Sequence, residues 1–263
     1  MKLSKTSNII KDIRKRKKQN INDNKIVIED LSILFLLKQL PYKIEKFFYC
    51  EEIEYKKETL ELIEQLKDKA EEVYTVSYNT YQLIVNKKNS IGLLAIIEMN
   101  MISLNDIDLK KCNSILVTDG LENPGNLGTI YRTADATGFN IIINIDLKTS
   151  INHPKTIASS RGMVLVVPSI NTTYEDVSDF LLKNDFDIYI GEPELGVSCF
   201  ETKFSKKTAI VVGSERFGVN HKWSEEKHRK IKIPMAGTMR SLNVSVAASV
   251  LMYQYWQDLT KNK

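Results

Sequence analysis

Glycine is scarce in this chain and never spaced for ordinary nucleotide binding. No two of its 11 glycines are separated by a single residue, which excludes the G-x-G-x-x-G loop, and no G-x-x-x-x-G-K-[ST] stretch occurs either. Cysteine is as sparse: Cys50, Cys112 and Cys199 are odd in number, far apart and without a C-x-x-C pair. Neither a disulfide framework nor a metal cluster is expected from them, and isolated buried thiols are the natural reading. The three histidines, His153, His221 and His228, lack metal-ligand spacing, so no metal is expected. No apolar run approaches the ~18 residues a membrane span needs, and no hydrophobic stretch of the secretory kind follows the basic start, so a cytoplasmic location is the expectation. Low complexity is absent as well. At 263 residues, 43% hydrophobic and 27% charged, the chain has material for one large or two modest globular domains.

What is present begins with charge. Residues 1–20 hold Lys2, Lys5, Lys11, Arg14, Lys15, Arg16, Lys17 and Lys18 against Asp12 alone, a local net charge of +7 in a chain of net +4, leaving −3 for the remainder. A cluster this dense either follows a phosphate backbone or is a solvated helix that keeps the protein soluble.

Beyond this arm the hydrophobic pattern alternates between short strands and helices. Ile26–Glu29, Lys46–Cys50, Val73–Val76 and Leu93–Ile97 read as strands. Leu31–Leu40, closed by Pro41, reads as a helix, as does Thr59–Glu72 with its apolar face of Leu60, Ile63, Leu66 and Ala70. This is a small α/β domain. The stretch 98–114 is polar and irregular, which puts a boundary near Asn105 and divides the chain into 1–105 and 106–263. In the second part, strands are expected at Ser114–Thr118, Ile141–Ile145, Val164–Val167, Asp187–Ile190, Ala209–Val212 and Lys230–Ile233. Helices are expected at 127–137, 174–183 and 243–259. Near-continuous apolar strands between helices imply an α/β fold with a parallel sheet covered on both faces.

The glycines gather at the expected strand ends: Gly120, Gly125 and Gly128, then Gly191 and Gly196, Gly213 and Gly218, and Gly237. Ligands of open parallel sheets bind beyond the carboxyl ends of the strands, where glycine lets backbone come close. Three segments there are chemically dense. In NPGNLGTIYRTADATGF a turn feeds a helix carrying Arg132, which is either a guanidinium fork for a phosphate or a surface charge. In VVGSERFGVN, Glu215 follows an apolar strand and is either functional or a carboxylate near a helix start. In IPMAGTMRSLNVSVAAS, Ser241 and Asn243 either act in a site or only cap the following helix.

These three segments, in this order and at this spacing, resemble the motifs of the SpoU/TrmH family of SPOUT methyltransferases over roughly residues 114–258. Ala158-Ser159-Ser160-Arg161-Gly162 and the Gly-Ser-Glu of 213–215 are similar to the thiostrepton-resistance type of 23S rRNA methyltransferase. Asn123, where relatives often carry Asp, and Ala158, where they carry a basic residue, depart from the pattern. The amino-terminal part resembles, more weakly, the L30e/L7Ae type of RNA-binding domain. The resemblance implies S-adenosyl-L-methionine as cofactor, methylation of an RNA ribose 2′-hydroxyl, a homodimer, and a deep trefoil knot, an exception to the rule that chains do not thread loops. The RNA is rRNA in the leading reading. A tRNA target, or an inactive RNA-binding protein of ribosome assembly, are the alternatives.

By motif position the resemblance assigns catalysis to Asn126, Arg132, Glu215, Ser241 and Asn243. It assigns cofactor contacts to Gly191, Gly213, Ile233, Met235 and Leu242. RNA contacts fall to Arg132 and Arg161, together with Lys11, Arg14, Lys15, Arg16, Lys17 and Lys18 of the arm.

Overall fold

The computed structural model describes residues 2–18, 23–85, 91–99, 102–225 and 228–261. The amino-terminal part comprises β1 (Lys2–Leu3), α1 (Asn8–Lys18), β2 (Lys25–Ile28), α2 (Leu31–Leu37), β3 (Ile44–Cys50), α3 (Lys57–Lys69), β4 (Ala70–Val76), α4 (Tyr78–Ile84) and β5 (Leu93–Glu98). Its five-stranded sheet runs β1-β4-β3-β5-β2. The β1–β4 and β3–β4 pairs are parallel, and β3–β5 and β2–β5 are antiparallel.

The basic segment is not a free arm. Its first strand joins the sheet beside β4, and α1 buries Ile10 and Ile13 against Phe48, Tyr74, Tyr81 and Leu94. Each isoleucine so buried contributes about 1.5–3 kcal/mol, so these residues hold the segment on the fold while its charges face outward. Lys11, Arg14 and Lys15 are exposed. Arg16 is instead spanned by Asp12 and Asp23, which hold its charge in place. The side chains of Lys17 and Lys18 lie outside the described residues.

The second part comprises β6 (Ser114–Asp119), α5 (Pro124–Thr137), β7 (Ile141–Ile145), α6 (Pro154–Ser160), β8 (Ser169–Thr172), α7 (Tyr174–Lys183), β9 (Asp187–Gly191), β10 (Val197–Ser198), β11 (Thr208–Gly213), α8 (His221–Glu225), β12 (Arg229–Lys232) and α9 (Val244–Lys261). Its seven strands run β10-β12-β9-β11-β6-β7-β8, every pair parallel. One face packs against α5 and α9 and the other against α7, so β6, β7 and β11 are buried on both sides. Cys50, Cys112 and Cys199 are free and buried.

Two expected elements are corrected, and two further helices appear. Val164–Val167 is not a strand: Arg161 and Gly162 take left-handed backbone (φ 54° and 86°), and the chain then makes a 3-10 turn over Met163–Leu165. Contact with the amino-terminal part decides this, because Gly162 packs against Ile33 and Leu36 and the Tyr42 hydroxyl donates to the Leu165 carbonyl at 3.1 Å. The helix expected to reach Glu72 stops at Lys69, where Ala70 turns extended (ψ 137°) and pairs with Ile44. The helices α4 and α6, with little apolar periodicity of their own, were not expected and form on capping side chains, Ser77 and His153.

Candidate active site

The site is built where β6, β9, β11 and β12 end. Asn123 caps α5 by accepting from the Gly125 N–H at 2.8 Å, Pro124 occupies the first turn, and Gly138 (φ 69°) closes the far end. Helix formation therefore starts where it places Asn126 in the first turn, with Arg132 about two turns further along. Asn243 does the same for α9, its Oδ1 accepting from the Ser245 N–H at 3.0 Å and from the Ser245 hydroxyl at 2.6 Å. Capping is thus a real role of Asn243, and it leaves the Nδ2 amide available, which donates to Asn126 Oδ1 at 3.2 Å. The Asn126 amide in turn donates to Glu215 Oε1. Three segments widely separated in sequence meet in one polar chain, Glu215 to Asn126 to Asn243.

Glu215 sits in a tight loop after β11. The backbones of Ser214 and Gly218 exchange two hydrogen bonds of 2.9 Å, and the Ser214 hydroxyl accepts from the Phe217 N–H at 3.1 Å. Gly213 is required there, since a Cβ would meet the Gly218 carbonyl carbon at 1.9 Å. The far side of the loop is tied down by Asp119, which accepts from the Asn220 N–H at 2.7 Å. Burial pushes the Asp119 carboxyl above its ordinary range, opposed by that N–H. Asp119 was not among the expected residues. Its register, opposite Gly213 at the ends of paired strands, is a tertiary property.

Beside this polar chain lies a cavity of about 280 Å³. All five residues expected at the cofactor, Gly191, Gly213, Ile233, Met235 and Leu242, line it, as do Ser241 and Glu215. Val212, Ile231 and Leu251 extend the apolar wall and Glu192 and Ser214 add polar groups, none of them among the expected site residues. Arg132 stands apart from the cluster, exposed on α5 and bonded to no described residue. Arg161 is exposed at the end of α6. Lys155, not expected, reaches back to the start of α5, its Nζ 3.7 Å from where a Gly125 Cβ would stand. Among the described residues no group of three His, Cys, Asp or Glu side chains is placed to hold a metal.

The SpoU rRNA Methylase family model matches residues 113–253, more than half of the chain. The chain belongs to this family. A Staphylococcus aureus (strain MSSA476) protein assigned to the TrmH family of tRNA/rRNA methyltransferases is 34% identical over 210 residues, covering 77% of this chain and 84% of that protein. In fold, the SpoU-family chain is similar to the AdoMet-bound rRNA methyltransferase of Sinorhizobium meliloti, with TM-score 0.87, 24% identity and 98% of each chain covered. It is also similar to an RNA 2′-O ribose methyltransferase, with TM-score 0.79, 25% identity and 99% and 100% covered. The three motifs thus lie in a member of a methyltransferase family, on a mostly parallel sheet flanked by helices.

Proposed function

We propose that this SpoU-family chain is an S-adenosyl-L-methionine-dependent methyltransferase acting on a ribose 2′-hydroxyl of RNA, in 23S rRNA rather than tRNA. The observation that carries the reading is the meeting of a glycine-floored apolar cavity with the Glu215, Asn126 and Asn243 chain at its mouth. The residues fit the cofactor: Ile233, Leu242 and Leu251 offer apolar contacts for an adenine, and Gly191 and Gly213 bare their backbone. Gly191 has little room for a side chain, a Cβ meeting the Val211 carbonyl and Leu251 at 3.2 Å. When bound, the cofactor supplies a methyl group on a sulfonium whose departure leaves a neutral thioether.

The protein's own work is on the nucleophile, a weakly acidic hydroxyl that must be aligned and relieved of its proton. A guanidinium is no general base, so Arg132 suits the phosphate next to the target ribose and favours developing alkoxide. Glu215, Ser241 and Asn243 orient the hydroxyl, the Ser241 hydroxyl and the Glu215 carboxylate relay its proton to solvent at the cavity mouth, and Asn126 fixes the loop between them. Arg161 adds a phosphate contact, and Lys11, Arg14 and Lys15 extend the basic surface.

The reading includes an L30e/L7Ae-like RNA-binding domain over 1–105, a methyltransferase domain over 106–263 with a trefoil knot, and a cytoplasmic homodimer. Supporting the dimer, Val246, Tyr253 and Trp256 lie seven and three residues apart on α9, about half exposed at 48%, 49% and 45%. Such a stripe calls for a partner surface.

Calorimetry in chelator tests the cofactor, with saturable binding of S-adenosyl-L-methionine expected. Mapping 2′-O-methyl sites in RNA from cells with and without the gene tests the reaction, with one site in 23S rRNA expected. A lost tRNA methyl would move the reading to tRNA, and RNA binding with no methyl lost anywhere would make the chain an assembly protein. A monomeric mass in solution would remove the dimer.

A further inference from the structure

A second cleft, of about 390 Å³, opens at the carboxyl ends of β7 and β8, between the two parts of the chain. It lies on the same edge of the parallel sheet as the first cavity, across β6 from it. Through Asn144 and Asn171, which line it, a polar ladder crosses three strands, with Thr118, Asn144 and Asn171 paired side by side in register. The Thr118 hydroxyl donates to Asn144 Oδ1 at 2.7 Å, and the Asn144 amide donates to Asn171 Oδ1 at 3.1 Å. Thr118 and Asn144 are fully buried, so a strand interior holds them only because each bond is made.

The ladder has a direction. Thr118 donates to Asn144, which donates in turn to Asn171, and bonds in such a chain polarise one another. It ends on the exposed Asn171, whose amide N–H groups donate to no described residue and stand at the cleft. The same cleft is lined by Asp146, held in left-handed backbone (φ 49°) and accepting from no described residue, and by the exposed Asn24 of the amino-terminal part. Donors and an acceptor thus line one polar cleft. Lys148 is the cleft's one lysine among the described residues, against the carboxylates of Asp146 and of Asp23, the latter already paired with Arg16. That balance does not suit a phosphate group, and it suits a neutral ring with both acceptor and N–H edges.

We propose that this cleft is a nucleobase subsite, taking an unpaired base of the RNA, with Asn171 donating to a ring carbonyl or nitrogen and Asp146 accepting from an N–H. It rests on the RNA reading above and adds a point of sequence recognition about one strand away from the methyl-transfer site.

The test titrates the four ribonucleosides, and separately inorganic phosphate, into the full chain, following the side-chain amide resonances of Asn24, Asn144 and Asn171. Saturable shifts with at least one nucleoside and none with phosphate are expected. Asn171→Asp keeps the acceptor that Asn144 needs and replaces the cleft-facing N–H groups by oxygen; it should weaken that nucleoside tenfold or more with the fold intact. Asp146→Asn should weaken it too, and serves if Asn171→Asp fails to fold. No shift at the cleft, binding of phosphate instead, or unchanged affinity in the folded variants would overturn the proposal. Methyl transfer assayed on the same samples keeps the two readings apart. Nucleoside binding without transfer removes only the methylation reading, and transfer without nucleoside binding removes only the subsite.

Discussion

The two sheets of this molecule divide its work by the kind of strand they contain. In the seven-stranded sheet every pair is parallel, the central strands are buried on both faces, and the chemistry gathers in loops at one edge. In the five-stranded sheet directions are mixed, and one face is covered by α1, whose outer side carries exposed cations. Parallel strands align all their carboxyl ends, so loops far apart in sequence converge and a site can be assembled. Mixed strands scatter their ends, and what such a sheet offers is surface. The lesson is that polar groups become a site in one region, and charge remains a surface in the other.

The largest expected effect tests whether the basic segment is core or arm. Ile13→Ala should cost about 2–5 kcal/mol in denaturant unfolding, as for deletion of a buried isoleucine side chain. A loss within 0.5 kcal/mol would return α1 to a solvated helix and undo the contrast. Next is Arg132→Ala, expected to lower kcat on the order of 10²-fold or more with cofactor affinity unchanged, while Arg132→Lys recovers part, since the charge remains and the planar fork does not. Near wild-type single-turnover rates in either would make Arg132 a helix-surface residue.

A third test addresses the surface. Because Ile10 and Ile13 are buried, removing the segment would unfold as well as discharge, so neutralising Lys11, Arg14 and Lys15 to Gln is the clean experiment. The slope of log affinity for RNA against log salt should fall by about 2–3, with cofactor binding unchanged. An unaltered slope would leave these charges with solubility alone.

The smallest effect is a pH dependence in the parallel half. His153 Nδ1 accepts from the Lys155 N–H at 3.1 Å and caps α6, and burial with the nearby Lys155 holds its pKa below the ordinary value. The unfolded chain therefore binds the proton more readily, so stability rises with pH through the window from that lowered value to about 6.5 and is complete above it. Loss of the cap below the window should cost about 1 kcal/mol. His153→Ala should flatten that part of the stability curve, and a slope unchanged in the variant would assign the titration elsewhere.

Much of the parallel half was legible in the sequence because buried parallel strands are unbroken apolar runs. Ile141–Ile145 and Tyr174–Lys183 are where the pattern put them. The lining of the first cavity was legible for a different reason, the resemblance to the SpoU/TrmH family, which implied Gly191, Gly213, Ile233, Met235 and Leu242 together. Val164–Val167 misled because its valines favour a strand while Arg161 and Gly162 set the backbone and Ile33 and Leu36 fix it from outside. In α1, charge hid a pair of buried isoleucines that only the facing sheet could explain.

The sequence by itself determined which residues are apolar and periodic, where glycine and proline permit turns, and which three segments carry polar groups in a recognisable order, since these depend on composition and spacing along the chain. Tertiary structure alone decided that Glu215 meets Asn126 and that Asn243 reaches Asn126, 117 residues away. It also decided that Thr118, Asn144 and Asn171 form one ladder across three strands. Hydrogen bonds act over about 3 Å of space whatever the separation in sequence, so only the register of the folded strands can bring such partners together.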